Sequence, residues 1–124
     1  MSGLSWADRK KDHIDQAEHN RELYDIIEAD LNPAFLDWAI TAIFYACVHY
    51  VDARLTAFQL EPADHKQRHE YVDRHLSDIK KPYHRTYKES RSSRYDPQYR
   101  SLTNIAIVKS FEYKMAAIRG SVLP

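Results

Sequence analysis

The sequence has very little glycine or cysteine and no long apolar run. Gly3 and Gly120 are its only glycines, and its five prolines are widely spaced, so long stretches contain no helix-breaking residue. The single cysteine, Cys47, excludes a disulfide framework within the chain, and its apolar neighbours predict a buried side chain. No stretch reaches the ~20 apolar residues of a membrane span, and charges occupy the N-terminal segment where a signal peptide needs an apolar run. We therefore expect a cytoplasmic protein that does not contact membranes.

Length and charge limit the organisation further. At 124 residues, 44% hydrophobic and 29% charged, the chain has the size and balance of one globular domain spanning residues 1–124. The formal net charge is zero, but residues 1–37 hold nine acids and four bases, whereas residues 80–100 hold seven bases and two acids. A basic segment of this kind favours an anionic partner for one face of the domain, although a solvated charged face is the commoner reason for one.

Apolar residues recur at helical spacing throughout, which predicts an all-α, up-down antiparallel bundle of about five helices. The predicted helices span residues 6–30, 33–58, 65–79, 82–95 and 97–120. Ser5 followed by Asp8, and Asp64 followed by Gln67, have the spacing of helix N-caps. The pairs Asn32-Pro33 and Asp96-Pro97 read as an N-cap followed by a first helical residue, and Lys80-Lys81-Pro82 predicts a chain break.

The second predicted helix is apolar nearly all round, as in the central helix of a bundle, but it carries one narrow polar stripe. The stripe steps by three or four residues through Thr41, Tyr45, His49, Asp52 and Thr56. Such a stripe is either an exposed edge of the bundle or the polar lining of a site.

Cations continue the apolar faces of the third and fourth helices. Val72, Leu76 and Ile79 define the inward face of helix 3, and the same rhythm leads back to Arg68 and His65. In helix 4, Arg91 and Arg94 continue a face that begins with Tyr83 and Tyr87. The core face of both helices is therefore predicted to become cationic at one end.

Short connections make consecutive helices antiparallel neighbours, so reflection about each turn estimates which residues lie level. Reflection about residues 61 and 81 brings a polar set to one end of the bundle: His49, Asp52, His65, Arg68, Arg91 and Arg94. Inward arginines with one aspartate need an anionic ligand, such as a phosphate, or a structural Arg–Asp network. Both interpretations stay open.

Metal binding is a weaker alternative. His65 and His69 have the i, i+4 spacing of a helical metal pair, and His49 is a candidate third ligand. The neighbouring arginines would repel a divalent cation, so we predict no metal cofactor.

With these helices placed, the chain resembles the HEPN superfamily of small all-α domains. The resemblance is carried by the run from Trp38 to Tyr50, by His65-x-x-Arg68, and by residues 90–95, which are similar to the family's Arg-x-x-Ala-Asp-Tyr signature. It implies association with nucleotides or RNA, a homodimer, and a toxin–antitoxin or defence context with an antitoxin-type protein partner. Family ribonucleases pair an arginine with a histidine further along the chain, and Arg68 and His75 satisfy that spacing. Seven helical positions span ~10.5 Å, so His75 would have to act across the dimer.

The leading hypothesis is therefore a phosphate-binding domain that cleaves RNA without metal. In it Arg68, Arg91 and Arg94 bind phosphate, and Asp52 and Tyr95 orient their neighbours. The candidate catalytic residues are His49, His65, His75 and, besides its phosphate contact, Arg68. Two hypotheses compete with it. One is a non-catalytic interaction or dimerisation module with a structural Arg-His-Asp network, and the other is a metal-dependent bundle hydrolase.

Overall fold

The computed structural model of the chain describes residues 3–30 and 35–123, and these form six α-helices with no strand among them. The helices are α1 (Trp6–Asp30), α2 (Leu36–Leu55), α3 (His65–His75), α4 (Lys80–Tyr95), α5 (Tyr99–Leu102) and α6 (Ile105–Gly120), and a 3₁₀ turn, Thr56–Phe58, extends α2. The all-α prediction is confirmed. The predicted helix start at Asn32-Pro33 lies outside the described residues.

Helix α2 is the central element, and α1, α4 and α6 pack against it. Glu18 of α1 accepts a hydrogen bond from Tyr50 of α2, whereas residues near the end of α1 lie beside the start of α2, so these helices are antiparallel. Contacts of Thr41 with Ser93 and of Phe44 with Tyr87 show that α4 also runs antiparallel to α2. The antiparallel packing of α1 on α2 agrees with the predicted up-down bundle, whereas strict alternation of consecutive helices would have made α4 parallel to α2.

The core lies along α2, whose residues from Ala39 to Leu55 are mostly buried. Cys47 is fully buried as predicted, and burial raises the pKa of its thiol, which keeps it protonated and unreactive. The expectation that α2 is covered all round is wrong at its start, where Phe35 and Trp38 are exposed. None of the described helices combines the length and apolar content that crossing a membrane requires.

The boundary between α3 and α4 differs from the prediction. Helix α3 ends at His75 instead of residue 79, and α4 begins at Lys80, before Pro82. The proline fits because it lies in the first turn of α4, where backbone N–H groups have no helical partner. The intervening turn is tied to α2 by Arg54, whose Nη1 lies 2.7 and 2.9 Å from the carboxylate oxygens of Asp78.

The predicted fifth helix is two helices. Asp96 accepts a hydrogen bond from the Gln98 amide in the turn after α4, but the single turn of α5 begins only at Tyr99 and has no side-chain cap, so the predicted N-cap and first helical residue at Asp96-Pro97 are wrong. The chain then extends through Thr103, and Asn104 caps α6 by accepting from the Ile107 amide at 3.0 Å. The predicted caps at Ser5 and Asp64 are confirmed, with oxygen–nitrogen distances of 3.0 and 2.8 Å.

Replacement of Asn104 tests this unpredicted cap. Asn104→Ala leaves the Ile107 amide without its acceptor and should lower the free energy of unfolding by about 1 kcal/mol. Asn104→Ser keeps a capping oxygen and should change it by a few tenths of that at most. Urea unfolding followed by circular dichroism measures both, and equal losses in the two variants would contradict the capping role.

Candidate functional site

A buried ion pair joins α3 to α2. The Arg68 Nε lies 2.8 Å from Oδ1 of Asp52, and Nη2 lies 3.1 Å from Oδ2, so the guanidinium donates two parallel hydrogen bonds. The two side chains are only 10% and 6% exposed. The sequence predicted that these residues lie level, and the structure brings them into direct contact.

The remaining terminal nitrogen of Arg68 fixes the state of His65. Nη1 lies 2.9 Å from the His65 Nδ1, and because a guanidinium only donates, Nδ1 must accept. Burial, Arg68 and Arg94 all lower the pKa of His65, so the ring is neutral near pH 7 and its proton resides on Nε2. His65 therefore offers a hydrogen-bond donor, and its Nδ1 is already committed.

A chain of hydrogen bonds through three side chains, Glu61, His13 and His49, places the ring proton of His49 on Nδ1 instead of Nε2. The His13 Nε2 lies 2.9 Å from Oε1 of Glu61, so this nitrogen carries a proton, and in the Nε2–H tautomer the other ring nitrogen is an acceptor. The two Nδ1 atoms of His13 and His49 are 3.1 Å apart, which makes the His49 Nδ1 the donor. Burial is the main cause that lowers the pKa of His49. The neutral ring then carries a free lone pair on Nε2.

His13 and Glu61 were not among the predicted site residues. A usable signal was present, because reflection about the turn near residue 33 places His13 of α1 level with Asp52 of α2. Applied to that turn as well, the geometric argument would have found His13. Glu61 lies in the turn itself, where reflection gives no information on side-chain direction.

His69 belongs to a separate branch. Its Nδ1 lies 2.8 Å from the Tyr83 hydroxyl, and its ring packs edge-on against Tyr87. Burial lowers the pKa of His69. Across residues 3–30 and 35–123, the metal-type donor atoms that lie within 4.8 Å of one another belong to His13, His49 and Asp52, so the predicted grouping of His49 with His65 and His69 is not formed.

Arg94 lies next to His65 but has no acidic partner. Its Nε donates to the Ser90 carbonyl at 3.2 Å, and Nη1 donates to the Tyr45 hydroxyl at 3.3 Å. The guanidinium carbon lies 5.3 Å from the Phe44 ring centre and 5.2 Å from that of Tyr95. Within the described part of the chain, no carboxylate oxygen comes within 4.0 Å of this half-buried cation.

A pocket of about 480 Å³ opens beside Arg94. Arg100, Ser93 and Tyr95 contribute to its wall, together with the two acids Asp37 and Asp96. Tyr95 is 72% exposed, so the pocket has an accessible aromatic ring at its rim. The pocket combines two guanidinium groups and an aromatic ring with nearby acids that restrict where an anion can lie.

Two predicted site residues, Arg91 and His75, do not lie with the other polar residues around His65 and Arg68. Arg91 is exposed, because three helical positions before Arg94 amount to a rotation of about 60° toward solvent. His75 packs against Phe58 with ring centres 4.6 Å apart, two turns along α3 from Arg68. The expected convergence therefore holds for His49, Asp52, His65 and Arg68, with Arg94 beside them, and is wrong for Arg91. His75, which was expected to act only across a dimer, lies away from them.

The exposed side of α4 carries the basic segment seen in the sequence. Lys81, Arg85, Lys88 and Arg91 are all exposed there, and none lies within 4.0 Å of a carboxylate in the described ranges. This broad positive face begins beside Arg94 and extends along the helix.

A scan of protein-family models and searches of curated proteins and of solved structures return no match to this chain.

Replacement of Arg68 tests how much the buried ion pair contributes to the stability of the fold. Arg68→Ala leaves the Asp52 carboxylate buried without its partner and should lower the free energy of unfolding by about 3–5 kcal/mol. The double variant Arg68→Met with Asp52→Leu removes both charges and should recover most of that loss. Urea unfolding measures both, and a loss below about 1 kcal/mol in Arg68→Ala would show that the pair does not secure α3.

The neutral state of His65 predicts a pH dependence. Its pKa is lower in the folded chain than the ~6.5 of an unfolded histidine, so the unfolded state binds more protons and stability must fall as the pH drops from 7 through that window. His65→Gln should make the fall shallower. His19→Gln, which alters an exposed ring, serves as the control. Unfolding midpoints between pH 7.5 and 5 give the comparison, and parallel slopes for wild type and His65→Gln would contradict the assignment.

Proposed function

We propose that this chain is a HEPN-like domain that binds the phosphates of single-stranded RNA and cleaves it without metal. The observation that carries the proposal is the half-buried Arg94 guanidinium, which has neutral partners and packs, like His65, against the Phe44 ring. The resemblance of residues 38–50 and 90–95 to the HEPN superfamily supports the same conclusion.

The charge of Arg94 has no carboxylate partner among the described residues. Removing a guanidinium from water is costly unless an anion or several good acceptors replace the solvent. The hydrogen bonds to Ser90 and Tyr45 are long, at 3.2 and 3.3 Å, and both partners are neutral. A phosphate would supply the missing charge, and an arginine fork matches two phosphate oxygens.

The second step concerns the shape of the ligand. The basic face of α4, with Lys81, Arg85, Lys88 and Arg91, extends the positive charge well beyond one phosphate. Tyr95 is 72% exposed beside Arg94, and an accessible aromatic ring next to a basic face is the arrangement on which single-stranded bases stack. A polyanion with unpaired bases therefore fits this surface better than a free phosphate does.

The third step is the chemistry. His49 lies one helical turn from Tyr45 on the same face of α2, and Tyr45 is the residue that contacts Arg94. The free Nε2 lone pair of His49 is suited to accept the proton of a ribose 2′-hydroxyl as that oxygen attacks the adjacent phosphorus. The bond from phosphorus to the 5′-oxygen breaks, which leaves a 2′,3′-cyclic phosphate, and the departing 5′-oxygen takes a proton from water. Arg94 and the His65 Nε2–H then stabilise the developing negative charge. In this scheme Arg68 positions His65 and does not itself bind phosphate.

A specific observation also favours a non-catalytic interaction module. Leu23, Ile26, Phe35 and Trp38 are exposed apolar side chains around the end of α1 and the start of α2. Clustered apolar side chains on a surface mark protein interfaces, and here they would form a homodimer contact or bind an antitoxin-type partner. In that case the Arg68, Asp52 and His65 network only fixes the position of α3.

RNA binding and cleavage separate these functions. Arg94→Ala should weaken binding of a fluorescent single-stranded RNA by about 10–100-fold and reduce the salt dependence by about one phosphate contact. Arg74→Ala removes one exposed arginine of α3 and is the charge-matched control. Fluorescence anisotropy at several salt concentrations measures both.

Cleavage is tested in EDTA with mixed RNA oligonucleotides. His49→Gln should abolish cleavage while RNA binding persists, because the amide cannot take up the hydroxyl proton. If Arg94→Ala binds RNA as well as Arg74→Ala does, the phosphate proposal is wrong. If Trp38→Ala in turn converts a dimer to a monomer, the interaction module is the better description.

A further inference from the structure

We propose that His13, His49 and Asp52 form a binding site for a divalent transition metal, and that zinc is the ion it suits best. The metal site shares His49 with the proposed ribonuclease but does not depend on that activity, because it rests on the donor atoms of α1 and α2 and is measured by metal binding to the protein alone.

The donor atoms already have the spacing of a metal site. One ligand atom from each of His13, His49 and Asp52 lies within 4.8 Å of the others. The two imidazole Nδ1 atoms are 3.1 Å apart. Zinc–nitrogen bonds of ~2.0–2.1 Å in tetrahedral geometry separate two ligand atoms by roughly 3.3 Å. A small rotation of the rings, together with a shift of the His49 proton from Nδ1 to Nε2, would therefore place both Nδ1 lone pairs on one ion.

The surrounding hydrogen bonds have the form that supports metal ligands. The His13 Nε2 donates to Glu61 at 2.9 Å, which fixes the ring and leaves Nδ1 as the coordinating atom. Metal-bound histidines almost always donate their second ring nitrogen to a carboxylate, a carbonyl or water in this way. Arg68 likewise holds the Asp52 carboxylate through one lone pair of each oxygen, and each oxygen keeps a second lone pair.

The site has access to solvent and space for an exogenous ligand. The His13 side chain is 17% exposed and Glu61 is 40% exposed. A cavity of about 390 Å³ borders His49, with Gln16 and Asn20 of α1 and Tyr45 of α2 in its wall. Three protein ligands with an open fourth position correspond to the coordination of exchangeable or catalytic zinc sites.

The ligand types select among metals. Two imidazoles and one carboxylate suit zinc and neighbouring transition ions, whereas magnesium and calcium prefer oxygen ligands alone. The positive charge of Arg68 is offset by Asp52, and Glu61 adds a second carboxylate that is paired with Arg9 at 3.4 Å. We therefore expect weaker binding than at a structural zinc site with thiolate ligands.

Metal binding would change the chemistry of His49. When the ion occupies the Nδ1 of a neutral imidazole, the ring proton must reside on Nε2. His49 then has no lone pair with which to accept a proton. Zinc binding and the proposed proton transfer thus exclude each other, and zinc should inhibit RNA cleavage instead of supporting it.

The experiment is metal titration of the full chain. Zinc binding is followed by calorimetry, and Co²⁺ is added separately because its visible spectrum reports tetrahedral coordination. Wild type should bind about one ion per chain. His13→Gln should lose binding by at least 100-fold, and Glu61→Gln should weaken it by roughly 10–100-fold through the loss of ligand orientation. His75→Gln and His84→Gln, which change histidines outside the site, should leave it unaffected.

The variants also keep the outcome unambiguous. His13 lies between Glu61 and His49 in the chain of hydrogen bonds, outside the apolar core, so its replacement by the polar glutamine is not expected to unfold the bundle, and circular dichroism checks this. Absence of saturable zinc binding, or equal binding by wild type and His13→Gln, would overturn the metal site. Either result leaves the RNA-binding test of Arg94→Ala intact, so the two proposals fail separately.

Discussion

The bidentate pair between Arg68 and Asp52 is the interaction on which the rest of the polar architecture depends. It is buried, joins a short polar helix to the central helix of the bundle, and uses all but one of the nitrogens of the guanidinium. The remaining nitrogen goes to His65. Besides this pair, the half-buried Tyr71 is the apolar side chain in the first two turns of α3 that packs against the core, so the pair carries much of the attachment of that end of the helix to α2.

Two histidines at this end of the bundle are neutral for related reasons but face their surroundings differently. Arg68 obliges His65 to keep its proton on Nε2, whereas the chain from Glu61 through His13 leaves the Nε2 of His49 without one. The same residue type thus supplies a donor in one place and an acceptor in the other. Acid–base catalysis requires one group that donates a proton and a neighbouring group that accepts one.

The sequence allowed the helices, two caps, the buried Cys47 and the approach of Arg68 to Asp52 to be predicted, because periodicity and short turns encode them directly. The polar stripe of α2 was ambiguous, and Asp52 proved to be buried. The position of Arg91 and the end of α3 were wrong because both depend on small rotations and on a tertiary tie from Arg54 that no local pattern contains. His13 was missed because reflection was applied only to the connections after α2, and a lone histidine in a charged helix carries no periodic signal that would have drawn attention to the first connection.

The limited apolar surface of α3 has a consequence for motion. Besides Arg68, Val72 is the one buried residue of α3, all of which the structure describes. The buried Leu76 directly follows the last residue of the helix. Elements with few buried apolar contacts open at lower free energy than the globule as a whole unfolds. Amide hydrogens of α3 should therefore exchange with solvent before those of α2, and each opening would dismantle the polar cluster while the remaining helices stay folded. A ligand that binds the polar cluster would therefore also suppress the local opening of α3.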